Sequence, residues 1–178
     1  MKKIITLLIA VSAAIQLHAQ HDSIAVSQLS ELGVYYFRCD SLIKIEPIVQ
    51  EGISSGVNPF SVRTSMVYEG EKSENIFSTT PTFYIFVPKM YQRHINVKQF
   101  RLITLTARKG TRKLNTGSVS VFGGRVGAKG KTLNMAKLSD ECYKIFSNEE
   151  FDEGHYGIFY NYGSNIPVKL YDFDIIKQ

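Results

Sequence analysis

Few patterns in this chain combine residue type and spacing in a way that could do chemistry. Gly52-Ile53-Ser54-Ser55-Gly56 has the G-x-S-x-G spacing of a nucleophile elbow. That elbow works because a strand-to-helix turn lifts the serine above an α/β sheet. Here Val57-Asn58-Pro59 follows, which cannot begin a helix promptly, and no helix–strand alternation surrounds it. The segment reads as a flexible Gly/Ser turn. Gly130-Lys131-Thr132 ends like a phosphate-binding loop, but the position that needs the first glycine is Arg125, so the spacing fails. The mature chain carries His21, His94 and His155, far apart and without Cys or carboxylates at ligand spacing, so neither a metal nor another cofactor is expected. Asp152-Glu153 and Asp172/Asp174 supply carboxylates. An acid–base pair needs two of them across a cleft, and the simpler reading is solvated groups near turns and on the polar face of a strand. No catalytic residue is assigned.

Charge layout is more informative. Between Asn75 and Ser139 there is no Asp or Glu, while twelve Lys and Arg fall there. Residues 21–74 hold eight acids against four bases, and 140–178 hold eight against three. One explanation is internal, with acidic outer strands pairing with the basic middle. The sharper one is an electropositive face for an anionic glycan, a lipid headgroup or an acidic protein. Arg108, Lys109, Arg112 and Lys113 flank Gly110-Thr111, so a hairpin tip there would gather four cations. Arg125, Lys129 and Lys131 lie on a second Gly-rich stretch that a sandwich could bring to the same end. These seven residues form the candidate binding set. Nucleic acid is not an expected partner, since no recognition motif is present and the chain carries an export signal.

That signal is the N-terminus. Lys2 and Lys3 precede a run, Ile4 to Ile15, that is apolar apart from Thr6 and Ser12, and Ala19 offers a small residue for cleavage. Twelve residues are too few to cross a hydrocarbon core of about 30 Å as a helix. Residues 1–19 are therefore read as a signal peptide, 20–32 as a lead-in and 33–178 as one domain. The mature chain has no later transmembrane run and is expected to be periplasmic or extracellular. Export would allow a disulfide between Cys39 and Cys142, but Cys39 sits in a turn signal, Arg38-Cys39-Asp40-Ser41, and two free thiols are the simpler expectation.

What must position these residues is a set of strands. With 44% hydrophobic, 21% charged and 12% aromatic residues, the composition is that of a folded domain, rich in residues that pack on pleated faces. Period-two patterns or apolar runs recur at Gly33–Arg38, Leu42–Ile45, Val62–Glu69, Thr82–Val87, Gln99–Arg108, Val119–Phe122, Cys142–Phe146, Tyr156–Tyr160 and Val168–Ile176. No useful 3.6-residue stripe appears, and Lys89–Lys98 has room for a helical turn at most. About nine strands without intervening helices predict an all-β, antiparallel β-sandwich of immunoglobulin-like or Greek-key type. Gly154-His155-Tyr156 near the C-terminus adds the pattern of a tyrosine corner.

The series Gly33-Val34-Tyr35, Leu42-Ile43-Lys44-Ile45-Glu46-Pro47, Pro81-Thr82-Phe83-Tyr84-Ile85-Phe86, Phe100-Arg101-Leu102 and Gly154-His155-Tyr156-Gly157-Ile158 resembles a group of exported, Bacteroidota-like all-β proteins. Their marks are G-[IV]-Y, L-x-x-L-E-P and G-E-Y-G-F. This chain departs with Ile45 for the second Leu, His155 for Glu and Ile158 for Phe. The resemblance implies a shared fold and brings no activity or site. The expectation is therefore an exported, non-catalytic binding or structural module of the bacterial envelope. The competing class is a secreted glycan-directed hydrolase with a carboxylate site, which a deep cleft lined by two carboxylates would favour.

Overall fold

A computed structural model describes residues 29–39, 41–58, 60–120, 123–126, 131–161 and 169–177, with backbone alone at 58, 117–120 and 123–126. Residues 1–19, expected as a signal peptide, most of the expected lead-in and Lys129 lie outside the described residues. The strands are β1 (Gly33–Arg38), β2 (Ser41–Ile45), β3 (Ile48–Val49), β4 (Gly52–Asn58), β5 (Ser61–Glu69), β6 (Ile76–Phe77), β7 (Phe83–Phe86) and β8 (Phe100–Arg108). They continue with β9 (Thr111–Ser120), β10 (Gly123–Val126), β11 (Lys131–Thr132), β12 (Asn134–Lys137), β13 (Cys142–Phe146), β14 (Gly154–Tyr160) and β15 (Lys169–Ile175). Two single 3-10 turns form where one at most was expected, Lys89–Tyr91 within Lys89–Lys98 and Val97–Gln99 running one residue past it. Among the described residues no helix is long and apolar enough to cross a membrane.

The all-β sandwich expectation holds at the level of two packed sheets. The smaller runs β12-β13-β7-β1-β2, all antiparallel. The larger runs β3-β15-β14-β8-β9-β5-β4, with β10, β11 and β6 attached; only the short β6–β15 pair is parallel. Between the sheets lies one core, in which Val34, Ile45, Phe83, Ile85 and Ile145 meet Phe100, Leu102, Ile158, Phe173 and Ile175.

The larger sheet also has a second buried face. Its terminal strands β3 and β4 are separated in the chain only by Gln50 and Glu51, so the sheet curls until its two ends belong to one continuous stretch. Inside the curl Met66, Tyr68, Ile103, Leu105, Leu114, Phe159 and Leu170 form a separate core. Strand alternation assigns the residues: in β8, Phe100 and Leu102 face the smaller sheet, and Ile103 and Leu105 face the curl.

The tyrosine corner is present. The Tyr156 hydroxyl donates to the Asp152 carbonyl at 2.9 Å, and its ring stacks on Phe151 and Phe173. Both cysteines are free. Cys142 lies opposite Phe86, which lies opposite Gly33, while Cys39 sits at the other end of β1, about 20 Å along the strand at ~3.4 Å per residue. A disulfide needs Cα atoms within about 7 Å.

Two expectations are corrected. Gly52–Gly56 is not a flexible turn: it lies within β4, in unbroken register with β5. Backbone pairing to Arg63–Val67 outweighs the weak strand preference of Gly and Ser. The strand expected at Val119–Phe122 does not start there: Val119 and Ser120 end β9, which runs from Thr111, and Val121 and Phe122 lie outside the described residues.

Candidate functional site

The cationic hairpin forms as its sequence suggests. Arg108 pairs with Thr111, leaving Lys109 and Gly110 as a two-residue turn with φ of 52° and 79°. Two positive φ values match the twist of the flanking strands. Gly110 tolerates this conformation freely, but a lysine there is strained, since Asn, Asp or Gly is the usual occupant. The turn is tied down by the Thr111 hydroxyl donating to the Arg108 carbonyl at 2.9 Å and the Gly110 N–H donating to Glu71 Oε1 at 3.3 Å.

The hairpin divides its four cations. Arg108 and Lys109 are exposed, and among the described residues neither enters an ion pair. Lys113 is half-buried, with Nζ donating to Ser54 Oγ at 3.3 Å. Arg112 departs from the expected surface role: it is 3% exposed. It lies opposite Ala107 in the same register, so alternation turns it into the curl with Leu105 and Leu114. There it is ion-paired with Asp172, and its Nε and second terminal nitrogen donate to the Gly70 and Glu69 carbonyls at 3.1 and 3.0 Å.

Asp172 and Asp174 are likewise not solvated: they are 3% and 1% exposed. Both faces of β15 are covered, one by each core, so the face carrying Leu170, Asp172 and Asp174 has no access to water. The compensation is complete. Asp174 accepts from the Ser73 N–H at 3.0 Å and lies 2.9 Å from His155 Nδ1. The Ser73 hydroxyl and the Asn75 amide both donate to the Asp172 carbonyl at 3.1 Å. Ser73, His155 and Asp174 thus come together, but not as a nucleophilic triad, because the serine hydroxyl is committed to backbone and not to the imidazole. Among the described residues no buried side-chain polar atom lacks a partner. The cluster fastens the 70–75 loop to β15.

The remaining candidates are scattered. Lys131 is exposed and lies opposite Leu102, six residues down β8 from Arg108, or about 20 Å. Arg125 lies opposite Ser118, about 24 Å along β9 from the tip. The stretch carrying Arg125 and Lys131 is therefore not gathered at the hairpin, because β10 and β11 pair at other points of the sheet.

Lys131 instead borders a groove of about 530 Å³ that Glu149, Glu150, Asp152, Leu102, Phe146 and Tyr156 also line. All three carboxylates are exposed and come from one loop, Ser147–Glu153. Among the described residues no three His, Cys, Asp or Glu side chains converge as a metal-binding group. Sequence reasoning missed the Arg112–Asp172 pair. The available signal was an acid-free segment flanked by acidic ones, which the internal-pairing explanation already contained. Comparison with protein-family models, curated proteins and solved structures found no match.

Proposed function

We propose that this chain is an exported, non-catalytic binding module of the bacterial envelope that meets an anionic partner through the end of the β8–β9 hairpin. The observation that carries this reading is Lys109, an exposed cation held beside exposed Arg108 in a left-handed turn position that Asn or Gly would occupy at lower cost. Strain kept in place by buried anchors, here Arg112 and its partners, supports a use for the side chain rather than for the fold. An anionic glycan, a lipid headgroup or an acidic protein all offer the required charge. The hydrolase reading is weaker, because the groove carboxylates are three exposed groups of a single loop, whereas glycoside hydrolysis needs a pair held on either side of the bond.

The test is retention on vesicles containing phosphatidylglycerol and on a polyuronate resin, with salt raised stepwise. Exposed contacts are screened beyond about 8–10 Å at physiological ionic strength, so retention should fall steeply with salt. Arg108→Gln with Lys109→Gln should abolish it on whichever surface binds, with an unchanged melting temperature. Retention equal to wild type on both surfaces would overturn the proposal.

A further inference from the structure

Strand β4 differs from the other edges of the two sheets. It is seven residues long and, among the described residues, pairs along Gly52–Asn58 with β5 alone. Its sequence, Gly-Ile-Ser-Ser-Gly-Val-Asn, has no charge and no proline. Each of the other edges is interrupted by a cation or is only two residues long. β2 carries Lys44, β12 carries Lys137 and β10 carries Arg125, while β3 and β6 span two residues each. Charges and short length are the usual protection of an edge against pairing with another chain. β4 has neither, and Ile53 and Val57 on it are 68% and 78% exposed.

We propose that β4 is a pairing edge on which a second copy of this chain docks antiparallel, centred on Ser55. The occupant follows from the strand's own pattern. In that register Ile53 of one copy lies opposite Val57 of the other, Ser54 opposite Gly56, and Ser55 opposite itself. Directly opposed residues share a face, and Val57 already lies opposite Val62, and Ile53 opposite Met66, within one copy. Pairing therefore makes one apolar row across the seam, from Val62 through Val57 to Ile53 and Met66 of the other copy. Two exposed apolar side chains from each copy leave water, and no charge is brought opposite another. On the other face of the strand, a Cβ at Gly52 or Gly56 would meet nothing within 4 Å among the described residues. Because each copy has a single such edge among the described residues and the contact is two-fold, the assembly closes as a dimer instead of growing.

The register makes the test specific. Chain recovered from the export fraction is examined by sedimentation across a concentration series, with amide exchange followed at residues 53–57. Wild type should double its mass as concentration rises, and those amides should exchange more slowly in the dimer. Ile53→Lys with Val57→Lys places lysine opposite lysine twice and should give a monomer of unchanged melting temperature. Ile53→Lys with Val57→Glu carries as many charges but places lysine opposite glutamate twice, so it should restore the dimer in a salt-sensitive form. A wild type that stays monomeric, or amide exchange at 53–57 that does not depend on concentration, would overturn the proposal. So would a double-lysine variant that still dimerises, or a lysine–glutamate variant as monomeric as the double-lysine one.

Discussion

Tyr156 shows how one residue ties local sequence to the meeting of two sheets. Its hydroxyl satisfies the Asp152 carbonyl and its ring fills space between Phe151 and Phe173. Tyr156→Phe should cost about 0.5–1.5 kcal/mol, since a part-buried hydrogen bond is lost. The urea midpoint at neutral pH measures this. Burial, with the Asp152 carboxylate adding to it, holds the Tyr156 phenol above its ordinary value. The unfolded phenol ionises near pH 10, while the folded one keeps its proton to higher pH. Its contribution is therefore complete below about pH 10 and is lost as pH rises through the folded pKa. The stability gap between wild type and Tyr156→Phe should accordingly narrow above pH 10. A gap that widens there would contradict the assignment. This residue was legible from Gly154-His155-Tyr156 alone. Asp174, next to Phe173, was not: Lys-Leu-Tyr-Asp-Phe-Asp-Ile has the alternation of a half-solvated strand, and only the curl of the larger sheet covers its polar face.

At the scale of elements, the closest contact in the curl is between β14 and β15. A Cβ on Gly157 would stand 2.4 Å from Leu170 Cδ1 and 2.7 Å from its Cγ, and Leu170 is fully buried. Gly157→Ala should thus overpack the inner core and cost about 1–3 kcal/mol. Combining it with Leu170→Ala should cost less than the sum of the two single changes, as thermal or urea unfolding would show. Strands β1, β2, β5, β8 and β13 were readable within a residue or two because apolar content and alternation agree in them. β4 was not, because Gly and Ser dominate it and its strand state comes from pairing with β5. The start of β9 was not, because its charges describe solvent contact on one side and a buried ion pair on the other. Period two was present in Arg112-Lys113-Leu114, but the partner of Arg112 lies sixty residues away on β15.

For the whole molecule, the ordered charged, apolar and small-residue regions of the first nineteen residues predict a mature chain beginning near Gln20. Intact mass of the exported protein should lack them, and retention of Met1 in the envelope fraction would contradict this. The wider account is that folding splits the basic middle in two, Arg112 anchoring the curl from inside while Arg108 and Lys109 remain outside for a partner. Urea unfolding of two variants tests that division most directly. Arg112→Gln leaves Asp172 as an uncompensated buried charge and should lose about 3–5 kcal/mol, a midpoint shift of more than about 1 M at typical slopes of about 1–3 kcal/mol per molar urea. Arg108→Gln with Lys109→Gln should leave the midpoint within error of wild type. A stable Arg112→Gln protein, or a tip variant that unfolds as readily as it, would contradict the division.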